Sequence, residues 1–332
     1  MARPAAAFPF QLSALPRALP VRRYSLQIGT VVMALALWAI FAWRAPETWL
    51  SFDIYSSLMS TVPFTAIMAL AFTLVVIARE IDLSFPSVMG VAMLVFVNTP
   101  GDPVFGLLTA VLAGVAVGLL TGLMVVKLGI PSLVATIGGL FFWRGIVIVA
   151  TGAKGTGLTE ENVSWVGDLL VGRVAGRIPA QMLWTIGLAV ALWFVLNRHR
   201  FGAHVYLVGD NVESAKMMGV NTDRVRILVF AILGGAAGFA GVLASLEVSY
   251  FWPTVGEGQL LPTIAAVFLG GTSVFGGIGT IFGTTVGAFF AGSIEPGIVS
   301  IGLTEFYTQV IYGAIIVLSL TMQAIVMRRI AR

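Results

Sequence analysis

The chain contains no cysteine and only two histidines, His199 and His204. The lack of cysteine excludes disulfide bonds and thiolate metal sites. Both histidines fall in one polar segment, so the long apolar segments offer no imidazole for a metal or a catalytic base. No acid cluster there could supply a nucleophile and a base either. The sequence therefore predicts no catalytic residue and no metal site, and it disfavours an enzyme embedded in a membrane.

Charge is also scarce. Charged residues make up 10% of the chain, against about 25% in soluble domains. Hydrophobic residues make up 58%, and the mean hydropathy is +0.98. Nearly the whole chain is therefore expected to lie in lipid. The net charge of +4 then reflects membrane topology, and no nucleic-acid partner is expected. No GxxxxGK[ST] motif is present, so the chain has no P-loop for ATP.

Apolar runs of about 20 residues indicate membrane-spanning helices. Eight runs reach that length, and two shorter ones are interrupted by Pro86 and Pro262. The long runs are 25–43, 54–78, 103–126, 130–151, 179–196, 226–247, 274–294 and 306–327; the short ones are 83–98 and 260–273. We predict an all-α, polytopic transmembrane helix bundle of about ten membrane elements. The two short elements either cross the membrane or re-enter it.

An even number of elements places both termini on one side of the membrane. With ten elements, the cytoplasmic segments hold 14 of the 19 Lys and Arg residues and the outer segments hold four, with Arg144 inside a span. Such an asymmetry indicates cytoplasmic termini. The predicted organisation is a tail at 1–24, a single transmembrane domain at 25–327 and a tail at 328–332.

The segment 198–226 is a basic island between two apolar runs. It holds five basic residues, and basic residues this close to apolar ends mark a cytoplasmic loop. Within it, residues Glu213–Val220 are predicted to form a short helix with Ala215, Met218 and Gly219 on one side. Such a helix on the cytoplasmic face suggests a docking site for a soluble partner.

Two sets of glycines recur every four residues. They are Gly114, Gly118 and Gly122, and Gly279, Gly283 and Gly287. Each set places a flat ridge on one helix face, which predicts close approach of a neighbouring helix. The glycine-rich breaks at 270–273 and 276–280 are either broken-helix elements with backbone groups for a polar solute or plain turns between helices.

Ionisable residues within or beside spans are candidates for function. Asp82 either caps the following helix or contacts substrate. Arg144 must pair, face water or extend to a surface. Glu257 stands between glycines in an expected outer connector. The longest outer segment, 152–178, carries mixed charge and either receives a soluble binding protein or is a solvated connector.

Several of these segments resemble one known family. They are Ile81 to Ser84, Pro131 to Gly145, Gly202 to Gly219, Pro253 to Gly258 and Ile264 to Gly287. Together they resemble the permease subunit of ribose/xylose-type bacterial ABC sugar importers, related to the branched-chain amino-acid permeases. The similarity spans about residues 60–325.

The resemblance implies a permease in the bacterial inner membrane, with a second permease copy forming a homodimer. It also implies a cytoplasmic ATPase that holds ATP and Mg²⁺, a periplasmic binding protein that delivers a sugar, and no cofactor on this chain. The implied ATPase-coupling residues are Asn211, Glu213, Ser214, Ala215, Met218 and Gly219. The candidate translocation-path residues are Asp82, Ser84, Trp143, Arg144, Glu257, Thr272 and Ser273.

The chain also departs from the family pattern. Arg79-Glu80 stand where the family usually has Gly-Gly, and Gln259 to Pro262 replace a Tyr-Glu-Leu-Asp sequence. Two carboxylates are thereby missing, so the solute is not expected to be the same by resemblance alone. The alternative function is a stand-alone channel or facilitator for small polyols or sugars, which would pass solute without ATP.

Overall fold

A computed structural model describes residues 20–99 and 101–330, and these residues form a bundle of α-helices. The helices are α1 (Pro20–Arg44), α2 (Pro46–Trp49), α3 (Phe52–Ile77), α4 (Phe85–Asn98), α5 (Pro103–Lys127), α6 (Ser132–Thr151), α7 (Glu160–Val171), α8 (Ala180–Arg198), α9 (Arg200–Asp210), α10 (Val212–Met217), α11 (Thr222–Glu247), α12 (Leu260–Leu269), α13 (Ile281–Ser300) and α14 (Phe306–Ile330). One 3-10 turn covers Glu257–Gln259. The predicted tails lie partly outside the described residues, and α1 begins inside the predicted N-terminal tail.

Six helices within the described ranges are long and apolar enough to cross a membrane: Phe52–Ile77, Pro103–Lys127, Ser132–Thr151, Ala180–Arg198, Thr222–Val248 and Phe306–Gln323. Shorter apolar helices cover Val31–Arg44, Phe85–Asn98 and Glu257–Leu269. These helices confirm the prediction of an all-α polytopic membrane protein.

The centre of the bundle is formed by α3 and α11. The most apolar stretch of α3 is 94% buried and that of α11 is 72% buried, against 17% for α6 and for α14. A hydrogen bond of 2.6 Å between the hydroxyls of Thr73 and Thr284 joins α3 to α13 inside this core. The central helices are therefore enclosed by the chain itself, whereas α6 and α14 leave most of their surface uncovered.

The first predicted glycine ridge is confirmed as a packing surface between α5 and α11. A Cβ on Gly118 would stand 2.8 Å from the carbonyl carbon of Phe230, with the carbonyl oxygen closer still. A Cβ on Gly114 would meet the backbone of Gly234, and one on Gly122 would lie 2.9 Å from the Cα of Ile227. The backbones of the two helices are thus in direct contact, which only residues without a side chain allow.

The second predicted glycine ridge and the predicted span 274–294 both need correction. The predicted span 274–294 is wrong at its start, because residues 270–280 are not helical and α13 begins at Ile281. Positive φ angles at Gly271, Gly276 and Gly277 turn the chain here. Gly279 therefore lies outside the helix, and Gly283 and Gly287 alone continue the ridge, against the backbone of α12.

This break also explains the short length of α12. Ten helical residues rise about 15 Å, roughly half of the hydrocarbon thickness of a bilayer. The non-helical segment 270–280 extends the path beyond the end of α12 and packs against the end of α3, where Gly277 donates a hydrogen bond of 2.9 Å to Ile77. Irregular backbone at membrane depth is tolerated where it is buried in protein.

Short strands lie next to α7. β1 (Thr156–Gly157) pairs antiparallel with β4 (Tyr250–Phe251), and β2 (Arg173–Val174) pairs with β3 (Ile178–Pro179). Arg173 also donates a hydrogen bond to Ser56 at the start of α3. The segment 152–178 is therefore a folded element fixed to the bundle.

Candidate functional site

The basic island folds as two helices joined by a sharp turn. Asn211 ends α9 and caps α10, where its Oδ1 accepts a hydrogen bond of 2.8 Å from the Ser214 amide. Gly219 adopts a φ of 80°, and the Val220 amide reaches back to the carbonyl of Ala215. This αL closure ends the short helix. The helix covers Val212–Met217, so the predicted range Glu213–Val220 extends too far toward the C-terminus.

The side chains of α10 divide into a buried and an exposed face. Ala215 is fully buried against the chain, so it anchors α10 and leaves no side-chain surface for a partner. Glu213 and Met218 are exposed, as is Met217, which is 83% accessible and was not predicted. Lys216 forms an exposed ion pair of 3.1 Å with Glu213. Two adjacent exposed methionines in a polar segment are the sequence signal for this surface, because methionine adapts to partner surfaces.

The helix before α10 rests directly on backbone of the bundle. A Cβ on Gly209 would collide with the carbonyl of Ile77 and stand 2.6 Å from the amide of Gly277. The Tyr206 hydroxyl donates a hydrogen bond of 2.8 Å to the carbonyl of Gly279. Helix α9, which leads directly into the exposed helix α10, therefore contacts the end of α3 and the non-helical segment 270–280.

A second candidate region surrounds Glu257, and the connector that holds it is packed against the bundle. The segment 252–259 folds back into the bundle, since Gln259 accepts a hydrogen bond of 2.6 Å from Thr65, which lies halfway along α3. Gly256 has a φ of 91° and no room for a Cβ beside the carbonyl of Pro86. Glycine here lets the chain pass over the start of α4 and brings Glu257 inward.

Glu257 forms an ion pair with Arg144. The Nη1 atom of Arg144 lies 2.8 Å from Oε1 of Glu257, and the two side chains are 22% and 58% exposed. Of the predicted options for Arg144, the structure shows pairing. Neighbouring Trp143 is half-buried and makes an edge-to-face contact with Phe142. The pair joins α6 to the inward-folded segment, and an ion within a membrane-spanning helix such as α6 is costly unless it is paired or hydrated.

Asp82 and Ser84 form the turn that leads into α4. Asp82 is 3% exposed, and its Oδ1 accepts hydrogen bonds from the amide of Ser84 at 2.7 Å and from its hydroxyl at 2.6 Å. Burial raises the pKa of the Asp82 carboxyl above its usual value, and the Ser84 hydrogen bonds oppose that shift. Ser84 precedes α4 without a side-chain cap, so Asp82 closes a turn before the helix and is not its N-cap. These contacts leave the Asp82 carboxylate enclosed by the chain.

Thr272 and Ser273 are also enclosed. Thr272 is fully buried, and its carbonyl accepts a hydrogen bond of 3.1 Å from Gln323 of α14. The Ser273 hydroxyl accepts one from the Phe275 amide. Both residues therefore stabilise the turn at 270–280, which favours the turn reading of this glycine-rich break. The structure does not bring them together with the Arg144–Glu257 pair.

Comparison with known proteins identifies the family of this chain. Residues 54–320 match the family described as the branched-chain amino acid transport system permease component. The chain belongs to this family. It is a transport permease and a multi-pass membrane protein, and it is not an enzyme.

Named relatives agree with this assignment. The chain is 32% identical to the ribose import permease protein RbsC of Escherichia coli K12, over 87% of this chain and 91% of the relative. It is 28% identical to the autoinducer 2 import system permease protein LsrC of Salmonella paratyphi B, over 87% and 83% of the two chains. No solved structure matches the chain.

Proposed function

We propose that this chain is the membrane-spanning permease of an ATP-binding-cassette importer in the bacterial inner membrane. It carries a monosaccharide or a related polyol that a periplasmic binding protein delivers, and it binds no cofactor itself. A separate ATPase subunit holds ATP and Mg²⁺. Family membership supports the transport role, and the relatives named for ribose and autoinducer 2 support a small polyhydroxylated solute.

The observation that carries this proposal is the exposed face of α10. Glu213, Met217 and Met218 project from a helix whose Ala215 side and αL closure fix it to the bundle. Asn211 and Gly219 shape its two ends, and Ser214 lies half-buried beside them. A rigid helix with an exposed charged and apolar surface suits docking of a soluble ATPase, which would deliver the energy for transport.

The same proposal includes ten membrane elements with cytoplasmic termini. The elements are α1, α3, α4, α5, α6, α8, α11, α13, α14 and α12 together with segment 270–280. The support is the antiparallel contact of α5 with α11, where Lys127 meets Asp223 and Gly114 meets Gly234. The distribution of Lys and Arg along the chain supports the same orientation.

The translocation path is proposed to run along α6 beside the Arg144–Glu257 pair. Glu257 is 58% exposed although its segment folds into the bundle, and exposed charge facing lipid is costly. Water in a path, or a second copy of the chain, resolves that cost. We therefore propose that two copies meet along the uncovered face of α6 and enclose the path between them, with Trp143 at its edge.

The binding protein is proposed to dock on α7 and the hairpin β2–β3. Trp165 and Leu169 are 62% and 51% exposed on one side of α7, and Arg173 and Arg177 lie beside them in the hairpin. An exposed aromatic residue among charges is typical of interface hot spots. This folded surface is better suited to a partner than a solvated connector would be.

Reconstitution tests the proposal. The purified permease, its ATPase and its binding protein are placed in proteoliposomes, and uptake is measured for pentoses, hexoses, polyols and autoinducer 2. We expect ATP-dependent uptake of one solute class. Glu213→Arg should abolish it and weaken ATPase binding, whereas Glu305→Arg, at an exposed position between α13 and α14, should not. Equal uptake without ATP or partners would refute the importer and support a facilitator.

A further inference from the structure

A second ion pair lies on the side of the bundle that carries α10. The Glu80 carboxylate is almost fully enclosed, with 8% of the side chain exposed, and it accepts a hydrogen bond of 2.5 Å from Nε of Arg226. Glu80 belongs to the connector 78–84 between α3 and α4, and Arg226 lies in the first turns of α11. A buried carboxylate requires such a partner, since an isolated buried charge is costly.

Arg226 is close to the proposed ATPase-docking helix along the chain. Only residues 218–221 separate α10 from α11. Asn221 caps α11 through a hydrogen bond of 2.9 Å from the Arg224 amide, so this link continues directly into a fixed helix end. A displacement of α10 therefore acts on the first turns of α11, where Arg226 is located.

Glu80 is connected on its other side to the Arg144–Glu257 region. Two residues beyond it, Asp82 holds the turn into α4. The next residues include Pro86, whose carbonyl lies directly against Gly256, beside Glu257. Packed backbone thus runs without a gap from the Glu80–Arg226 pair to the polar pair at the proposed path.

We infer that the Glu80–Arg226 pair is a positioning link that transmits movement of the docking helix to the translocation path. This inference rests on the proposed function. The pair holds connector 78–84 to the start of α11, so that a shift of α10 moves the start of α4 and, through Pro86, the segment bearing Glu257. Neither residue touches the solute, and both act through other groups.

A nearby pair provides the control. Lys127 and Asp223 join α5 to the same first turn of α11 at 2.8 Å, but their side chains are 57% and 44% exposed. Exposed pairs of this kind contribute little. If any charge pair at this helix end served equally, Lys127→Gln would have the same effect as a change at Glu80.

The test measures solute transported per ATP hydrolysed, using the full complex in proteoliposomes. Glu80→Gln keeps the shape and one hydrogen bond to Arg226 but removes the charge. We expect this variant to assemble and hydrolyse ATP within about two-fold of wild type, and to lose about ten-fold in the coupling ratio, within the usual range of coupling between sites. Arg226→Lys, which keeps the charge pair, should retain the ratio, as should Lys127→Gln.

Amide exchange gives a second measurement that needs no transport. Binding of a non-hydrolysable nucleotide to the complex should change the exchange of residues 78–84 in wild type and in Arg226→Lys, and this change should be absent in Glu80→Gln. If the pair were merely structural, its loss in Glu80→Gln would raise the exchange of residues 78–84 equally with and without nucleotide. That result would overturn the proposed link.

The outcomes separate the two proposals. If the wild-type complex shows no ATP-dependent uptake, the importer proposal is refuted, and so is the proposed link, which depends on it. If wild type and Glu80→Gln transport the same amount of solute per ATP hydrolysed, the proposed link is refuted and the importer proposal stands. A loss of ratio in Lys127→Gln that matches the loss in Glu80→Gln also refutes it, because the effect would then lack specificity for the buried pair.

Discussion

The contact between α5 and α11 provides the sharpest test of the packing. We consider Gly118→Ala, which adds one methyl group to the α5 ridge. Its Cβ would lie 2.8 Å from the carbonyl carbon of Phe230 and 3.0 Å from the Cα of Ala231. Carbon atoms pack best at about 3.5–4.0 Å, so the methyl group overlaps backbone that no rotamer change can move. The two helices must separate locally.

The expected magnitude combines two opposing terms. Overpacking of this kind costs about 1–3 kcal/mol, and a clash with backbone belongs near the upper end. Replacing glycine by alanine within a helix contributes about 1 kcal/mol in the opposite direction. We therefore expect Gly118→Ala to destabilise the fold by about 2 kcal/mol. Gly187→Ala, on the exposed side of α8 with nothing within 4 Å, should gain only the propensity term.

Thermal unfolding in detergent, followed by tryptophan fluorescence, measures the difference between the two variants. A difference of about 3 kcal/mol corresponds to roughly 4 °C in a chain of this size. Gly118→Ala should melt below wild type and Gly187→Ala at or slightly above it. If both variants melted together, the backbone contact between α5 and α11 would be refuted.

Three further perturbations follow from single contacts. Arg79→Gly should stabilise the fold by about 1 kcal/mol, because Arg79 has a φ of 65°, which is unfavourable for residues with a Cβ; a lower melting temperature would contradict this. Thr73→Val leaves the Thr284 hydroxyl without its partner in the core and should destabilise by about 1–3 kcal/mol in the same assay, whereas Thr61→Val at an exposed site should have no effect. Asn211→Ala removes the N-cap of α10, which contributes about 1 kcal/mol to helix stability. Amide exchange in α10 should therefore rise about five-fold. Unchanged exchange would show that the cap is dispensable.

Helix positions were predictable because each span carries its own signal. A run of about 20 apolar residues indicates a helix wherever it packs, and the predicted span 103–126 corresponds to Pro103–Lys127. The boundary near residue 274 was not predictable in this way. The glycines of segment 270–280 indicate a break, but the path of this segment depends on positive φ at Gly271, Gly276 and Gly277 and on a hydrogen bond to the distant Ile77.

The candidate functional residues also divide into those whose contacts are local in sequence and those whose contacts are distant. Asn211 and Asp82 accept hydrogen bonds from amides two or three residues away, so the cap at Asn211 and the turn at Asp82 can be inferred from local sequence. The partner of Arg144 could not be inferred, because Glu257 is 113 residues away and reaches it only through the inward fold of segment 252–259. Burial of Ala215 and exposure of Met217 likewise depend on how α9 rests on the bundle.

The sequence by itself determined that this is a helical membrane protein of a permease family with a basic island between apolar runs, because hydropathy, charge distribution and local motifs are properties of neighbouring residues. The tertiary structure alone decided which charges meet. Glu80 with Arg226 and Arg144 with Glu257 are separated by more than 100 residues in the chain. The second pair forms where Gly256, next to Glu257, lies against the backbone of Pro86, a close approach that only a residue without a side chain allows.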